Sequence, residues 1–362
     1  MRRLDASLAQ AKADGVFSQA RAAIWWKGQP VYEGGSAAPD AIFDLASVTK
    51  VMCTTALACR LAARGELDVN APVSAVLPGA RVVATIGDLA FHRSGLPAFF
   101  PFFADVARDQ PELFANPPPA LREEVRRLVV ERALAVRADQ AVGAAAVYSD
   151  LGFILLGEVL SAVARRPLDV LFADELAAPL GLTAGFRRLS LGPSPEKVVE
   201  TGGSRPREPA PGQESMWRCP TWPSSPGQVD DDNAWVMDGV AGHAGLFATA
   251  SDVARFGQAV LDGWVTSPLG WRPDGSTPGS TRTFGFDMPS SVGPSCGPRF
   301  GRGGPLGAVG HLGFTGTSLW VDFDRQLVVA LLTNRVVFGR SNVLIRAFRP
   351  AFHDSVLDVF RS

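Results

Sequence analysis

Apolar residues at Leu4, Leu8 and Ala11 recur at helical spacing and predict a helix over residues 2–14. The period then changes: QARAAIWW, KGQP and VYEGG read as two strands around a Gly/Pro turn, a β-hairpin over residues 19–35. FDLASVTKVMCTTALACRLAAR follows, and its nearly uncharged run from Ser47 predicts a buried helix. Between Gly65 and residue 190 the pattern is mostly helical. Segments 121–134, 150–166 and 167–176 carry a 3.6-residue repeat, with proline-rich breaks between them. Residues 191–228 and 264–310 are rich in Gly, Pro and Ser and predict long surface loops. A turn and helix over 244–261, β-rich segments 317–323 and 326–334 joined at Asp324-Arg325, and a last helix over 342–359 complete the chain. Together they predict an α/β (α+β) fold, an antiparallel sheet built from both chain ends and flanked by helices. Residues 1–65 and 235–362 would form the sheet-containing part, and 66–234 an inserted all-helical domain with long loops.

Composition narrows the function classes. The 362 residues, 46% hydrophobic and 20% charged, are enough for about two domains and a full core. A net charge of -1 offers no field for nucleic acid or an anionic membrane, so a small-molecule partner is expected. No run of about 18 apolar residues predicts a membrane span. MRRLDASLAQAKADG has a polar, amphipathic pattern where a signal peptide has an apolar core, and a cytoplasmic location is expected. Cys53, Cys59, Cys219 and Cys296 lack CxxC or metal-ligand spacing. They read as reduced, structural residues, and neither a metal nor a cofactor is expected.

Candidate chemistry begins at Ser47 and Lys50, one helical turn apart. Lys50 is the only charge between Asp44 and Arg60. Desolvation in an apolar helix disfavours an ammonium, and a neutral amine can take a proton from serine. Arginine could not, because its guanidinium stays charged. The SxxK pattern recurs at Ser194–Lys197, inside a Gly/Pro loop where Ser at N-cap and Pro at N1 begin a helical turn, so that copy reads as structural. An N-cap role for Ser47 leaves its lysine unexplained. A second element, Tyr148-Ser149-Asp150, precedes the helical run LGFILLGEVL and holds one of only two tyrosines. A phenol beside a lysine can shuttle a proton between nucleophile and leaving group. Taken alone, Tyr148 reads as an aromatic packed at a helix start that Ser149 or Asp150 caps. The third element runs from His311 through Gly313 and Phe314 to Thr317, ahead of a strand. Glycine there permits close approach, and strand amides can stabilise an oxyanion. A lone histidine in such a segment reads first as a hydrogen-bonded structural residue.

Three rival patterns carry less. Gly293-Pro294-Ser295-Cys296-Gly297 matches the GxSxG elbow, but its flanks PSSV and PRFGRGGP form neither the strand nor the helix an elbow requires. Asp230-Asp231-Asp232-Asn233 has no calcium-loop glycine or histidine pair and reads as a solvated turn capping the next segment. His243, in AGHAG, reads as turn-stabilising.

SVTK, YSD about a hundred residues later and HLG near the C-terminus resemble the SxxK, YxN and KTG/HxG triplet of the serine β-lactamase and penicillin-binding-protein superfamily. The branch most resembled is the class C β-lactamase-like serine hydrolases, which include family VIII carboxylesterases, D-aminopeptidases and DD-carboxypeptidases. FHRSGLP, GELDVNAPV, VAGHAGLF and GHLGFTGTSLWVDF with LLTNR agree, in order, over nearly the whole chain. The resemblance implies a β-lactamase/transpeptidase-like fold with Ser47 as the acylated nucleophile and Lys50 with Tyr148 as the base and proton-transfer pair. It implies an oxyanion hole from the amides of Ser47 and Phe314, and substrate contacts from Asp150, His311 and Gly313, the last keeping the strand open.

Two positions depart from the pattern. Asp150 stands where asparagine is usual, and its carboxylate can pair with Lys50 and hold it protonated, which shifts the base role toward Tyr148. His311 replaces a lysine and removes a fixed charge that would attract a substrate carboxylate. The resemblance therefore implies hydrolysis of a small ester or amide. DD-carboxypeptidase or β-lactamase action is the alternative, and a non-catalytic ligand-binding relative is an alternative of another class.

Overall fold

The structure is a computed structural model that describes residues 1–115, 117–192, 197–202, 204–205, 222–223, 227–302 and 304–360. Strands β1 (Ala20–Trp26), β2 (Gln29–Gly35), β3 (Ala308–Leu312), β4 (Ser318–Asp322) and β5 (Leu327–Thr333) form an antiparallel sheet in the order β2-β1-β5-β4-β3. Its centre joins the two chain ends, with Ala23 of β1 opposite Ala330 of β5. All seven residues of β5 are buried. Alternate side chains leave opposite faces of a strand, and both faces of this one are covered. Leu327, Val329 and Leu331 enter one apolar cluster, whereas Val328, Ala330 and Leu332 enter another.

The helices named below are α1 (Arg2–Ala13), α2 (Ala56–Ala63), α3 (Pro119–Ala135), α4 (Asp150–Ala164), α5 (Ala250–Leu261) and α6 (Ile345–Val359). Leu4 and Leu8 of α1 with Phe352 and Val356 of α6 cover the first face of the sheet. Val253 and Phe256 of α5 cover the second. Beyond α5 the same core continues into the helical part, where Val125 and Val129 of α3 and Phe153 to Leu156 of α4 are buried. The Ser149 hydroxyl accepts the Gly152 N–H at 3.1 Å and caps α4, which fixes where Tyr148 stands.

Two elements differ from the reading of the sequence. The run after Ser47 is not one continuous α-helix: Lys50–Thr55 is wound as a π-helix before α2 begins. Such wide turns occur often at functional sites, because they re-aim side chains that a regular helix would stack. The stretch 264–310 is also more than a loop. Thr283 N–H donates to Phe286 O at 2.9 Å and Met288 N–H to Thr281 O at 3.0 Å, a hairpin. Asp287 and Gly310 exchange both backbone hydrogen bonds, at 2.8 and 2.9 Å, so the hairpin docks on the outer edge of β3. Its anchors are Phe284 and Phe286, both fully buried.

Ser295 lies among turns and bends with neither strand nor helix beside it. Cys53, Cys59 and Cys296 are free and buried, and burial raises their thiols, Cys296 to about 12. Ser194 and Cys219 lie outside the described residues. Among the described residues no helix is long and apolar enough to cross a membrane.

Candidate active site

Ser47 is set by a sharp turn. Ala46 takes a left-handed φ of 46°, and the Asp44 carboxylate accepts the Ala46 N–H at 2.8 Å. Lys50 follows on the first turn, fully buried beneath the serine. Its Nζ donates to Ser47 Oγ at 2.9 Å, to Asp150 Oδ1 at 2.6 Å and to His243 O at 3.2 Å. Three acceptors around one nitrogen match the three donors of an ammonium. Burial pulls the pKa of Lys50 down, but the Asp150 carboxylate and the Tyr148 phenol outweigh it and raise the pKa overall. The apolar helix alone favours a neutral amine, but the Asp150 carboxylate, a hundred residues away in sequence, offsets the desolvation in the direction its replacement of asparagine suggested.

The His243 carbonyl reaches Lys50 because Gly242 packs directly on α4. A Cβ at Gly242 would lie 2.2 Å from Phe153 O and 2.9 Å from Gly157 Cα. Gly242 O also accepts the Thr54 hydroxyl at 2.6 Å. His243 Nε2 lies 2.9 Å from Asp231 Oδ1, and Asp231 accepts the Ala234 N–H as an N-cap. Burial disfavours the Asp231 carboxylate, yet His243 and the Ala234 N–H hold it well below the usual range. The segment caps its helix as the sequence suggested, but it is not solvated, since Asp230, Asp232 and Asn233 are buried. Gly242→Ala is expected to cost about 1–3 kcal/mol by overpacking and to slow acylation as His243 O leaves Lys50. Urea denaturation and single-turnover kinetics check both; an unchanged rate would show that this turn does not brace the amine.

Tyr148 is held by the segment that carries FHRSGLP. Val147 N–H donates to His92 O at 2.8 Å, Ser149 N–H to His92 Nδ1 at 2.9 Å, the Ser149 hydroxyl to Pro97 O at 2.7 Å and Asp150 N–H to Ala98 O at 2.9 Å. The His92 ring lies between Tyr148 and Phe153, 4.8 and 4.9 Å from their ring centres. Burial, then Arg282 and Lys50, hold His92 neutral, with its pKa well below the ordinary value. Burial raises the Tyr148 phenol; Lys50 and Ser47 draw it back down and Asp150 adds to the rise, leaving it raised overall.

His311 ends β3 with its Nδ1–H donating to Leu312 O at 2.8 Å. Burial, followed by Lys50 and Arg282, keeps this imidazole neutral as well. The turn after it is pressed onto the nucleophile segment: the Thr315 hydroxyl donates to Asp44 O at 2.8 Å and the Thr317 hydroxyl to Leu45 O at 2.9 Å. A Cβ at Gly313 would lie 1.9 Å from Thr317 Oγ1 and 2.4 Å from Leu45 O, so the glycine answers first to this contact. Arg349 donates to the carbonyls of Gly313 and Thr317 at 2.6 and 2.9 Å, and Arg335 to that of Phe314 at 2.7 Å. Among the described residues neither the Ser47 nor the Phe314 amide has a hydrogen-bond partner.

The chain also resembles known proteins along nearly its whole length. The family model described as Beta-lactamase matches residues 4–349. The chain belongs to the beta-lactamase family. As a member it is a hydrolase, and its relatives include a protein named as an amidase. It is 32% identical over 321 residues to the N-acetylmuramyl-L-alanine amidase of Bacillus subtilis (strain 168), covering 81% of this chain and 68% of that protein. The solved structure of EstCE1, a hydrolase with promiscuous acyltransferase activity, superposes with a TM-score of 0.66 at 20% identity, covering 96% of this chain and 97% of the other. A penicillin-binding protein homologue from Caulobacter crescentus gives 0.64 at 21%, covering 96% of each. At those identities the structures establish the beta-lactamase and penicillin-binding-protein type of fold.

In this beta-lactamase-family chain the cleft has a volume of about 490 Å³. Ser47, Tyr148, Asp150, His311, Gly313 and Phe314 all line it, and Lys50 lies underneath Ser47. The sequence reading did not reach Arg282, Asp287, Arg335 and Arg340, which line it too, and it read Asp231, also in the lining, as part of a capping turn. Among the described residues no group of three His, Cys, Asp or Glu side chains is arranged to hold a metal ion.

Proposed function

We propose that this hydrolase cleaves a small ester or amide through an acyl-enzyme on Ser47. The observation that carries the reading is the buried Lys50 Nζ, bonded at once to Ser47 Oγ and Asp150 Oδ1 beneath a phenol. On this reading Asp150 keeps the amine protonated and Tyr148 is the base. Its phenolate takes the Ser47 proton as Oγ bonds to the substrate carbonyl carbon. The carbonyl oxygen, now carrying the negative charge, accepts from the amides of Ser47 and Phe314. Collapse breaks the bond to the leaving group, which receives the proton from Tyr148; water then repeats the sequence on the acyl-enzyme. Lys50 keeps its proton throughout and stabilises the phenolate by charge. An amide substrate is supported by the amidase relative, and an ester by the fold neighbour named as a hydrolase with acyltransferase activity.

Mass spectrometry after reaction with p-nitrophenyl esters, nitrocefin and D-alanyl peptides tests the proposal. The expected result is a transient adduct on the Ser47 peptide with at least one of them. An adduct on Ser295, or no turnover of any member of the panel, would overturn it, the second outcome in favour of a ligand-binding role.

A further inference from the structure

The hairpin that covers the edge of β3 brings a charge to the site that no motif marks. Phe284 and Phe286 bury its tip, their rings packed edge-to-face against Phe91 at 5.9 Å and Trp271 at 5.0 Å. Gly285 N–H donates to Ala90 O at 3.1 Å, two residues before His92. With its backbone tied to Gly310 on one side and Ala90 on the other, the hairpin has little freedom to swing. Its Arg282 forms an ion pair with Asp287 and sets its guanidinium carbon 5.0 Å from the centre of the Tyr148 ring. Lys50 Nζ stands 4.8 Å from the same centre. Both cations therefore act on one phenol.

We infer that Arg282 is a positioning residue for the reaction, biasing Tyr148 toward phenolate by holding a second positive charge against its ring. The inference rests on the reading of Tyr148 as the base. The groups that face this phenol are Lys50 from the π-helical turn, Asp150 from α4, His92, His311 from β3, and Arg282 with Asp287 from the hairpin. Both histidines are neutral and add no charge. Asp150 opposes Lys50 at the phenol, and Arg282 adds a second positive charge at its ring. Asp287 orients the guanidinium through their ion pair, and although burial raises its carboxyl, in its ionised form it offsets part of the Arg282 charge.

The chain has only Tyr32 and Tyr148, and burial with the Asp5 hydrogen bond pushes the Tyr32 phenol far up. In a Tyr32→Phe background, near-ultraviolet phenolate absorbance follows Tyr148 alone. Arg282→Met is expected to move that titration midpoint upward by about one pH unit, the low end for an opposite charge at this distance, and Arg282→Lys to leave most of it in place. Asp287→Asn is expected to move it downward, which keeps the test open if the methionine variant fails to fold. Midpoints that stay put in both Arg282→Met and Asp287→Asn would overturn the inference. The rate of Ser47 labelling by a fluorophosphonate, taken across the same pH range, separates the two readings. No labelling at Ser47 would defeat the acyl-enzyme proposal while a shifted midpoint still upheld Arg282. Labelling with unshifted midpoints would do the reverse.

Discussion

A Lys50→Met variant is expected to acylate at Ser47 about 10³-fold more slowly than the wild type, while remaining folded. Methionine fills the same apolar channel but carries no charge, so the Ser47 hydroxyl loses its donor and Tyr148 loses the nearer of its two cations. Loss of one partner in proton transfer is typically worth 10²–10⁴-fold. Removing one member of a buried ion pair can cost about 3–5 kcal/mol when the remaining charge is stranded. Here Asp150 keeps a side-chain exposure of 21% and lines the cleft, so water can solvate it and the stability loss falls below that range. Lys50→Arg should fail equally, since a planar guanidinium cannot reproduce three divergent bonds from one nitrogen. Burst kinetics with an activated ester and thermal melting are the measurements. A rate within tenfold of wild type would mean that the lysine only packs.

The second large effect concerns Asp150. Its carboxylate raises the pKa of Lys50 by attraction and that of Tyr148 by repulsion of the phenolate. Both groups therefore hold their protons to higher pH, and acylation by the wild type should climb with pH well into the alkaline range. Asp150→Asn removes the negative charge and keeps an oxygen able to accept from Lys50. Whichever group releases the proton, its pKa falls, so the rising limb of the rate profile should move to lower pH by about 1–3 units. On that limb this means about tenfold or more at a fixed neutral pH. A limb that stays in place, or moves to higher pH, would show that the pair does not set the proton inventory of the site.

How much of this was readable in the chain varies with the kind of signal. The central place of β5 follows because the run LVVALL, apolar at every position, has to be buried on both faces. Ser47 stood out because packing does not explain its lysine in an apolar helix, whereas Tyr148 and His311, structural on their own reading, gained a role only from the ordered resemblance. The protonation state of Lys50 was readable only as a question, because local hydrophobicity argued for an amine and Asp150, from another helix, argued for an ammonium. Arg282 was invisible. The chain carries 35 lysines and arginines, and all but four are arginine, so one more in a Gly- and Pro-rich stretch attracts no notice. Its place depends on two buried phenylalanines and on hydrogen bonds to Ala90 and Gly310, contacts that leave no periodic trace. The burial of Asp230, Asp232 and Asn233 was missed for the same reason, since a run of acidic residues looks solvated until Asp44, Arg340 and His243 are seen around it.

The docked hairpin also limits what β3 can read. In the pairing of β3 with β4 it is His311 and Gly313 that face inward, while Gly310 and Leu312 point to the outer edge. Gly310 is already spent on Asp287, and the Leu312 carbonyl on the His311 ring. One outward amide remains beside the nucleophile, too little to zip an extended polymer alongside the sheet.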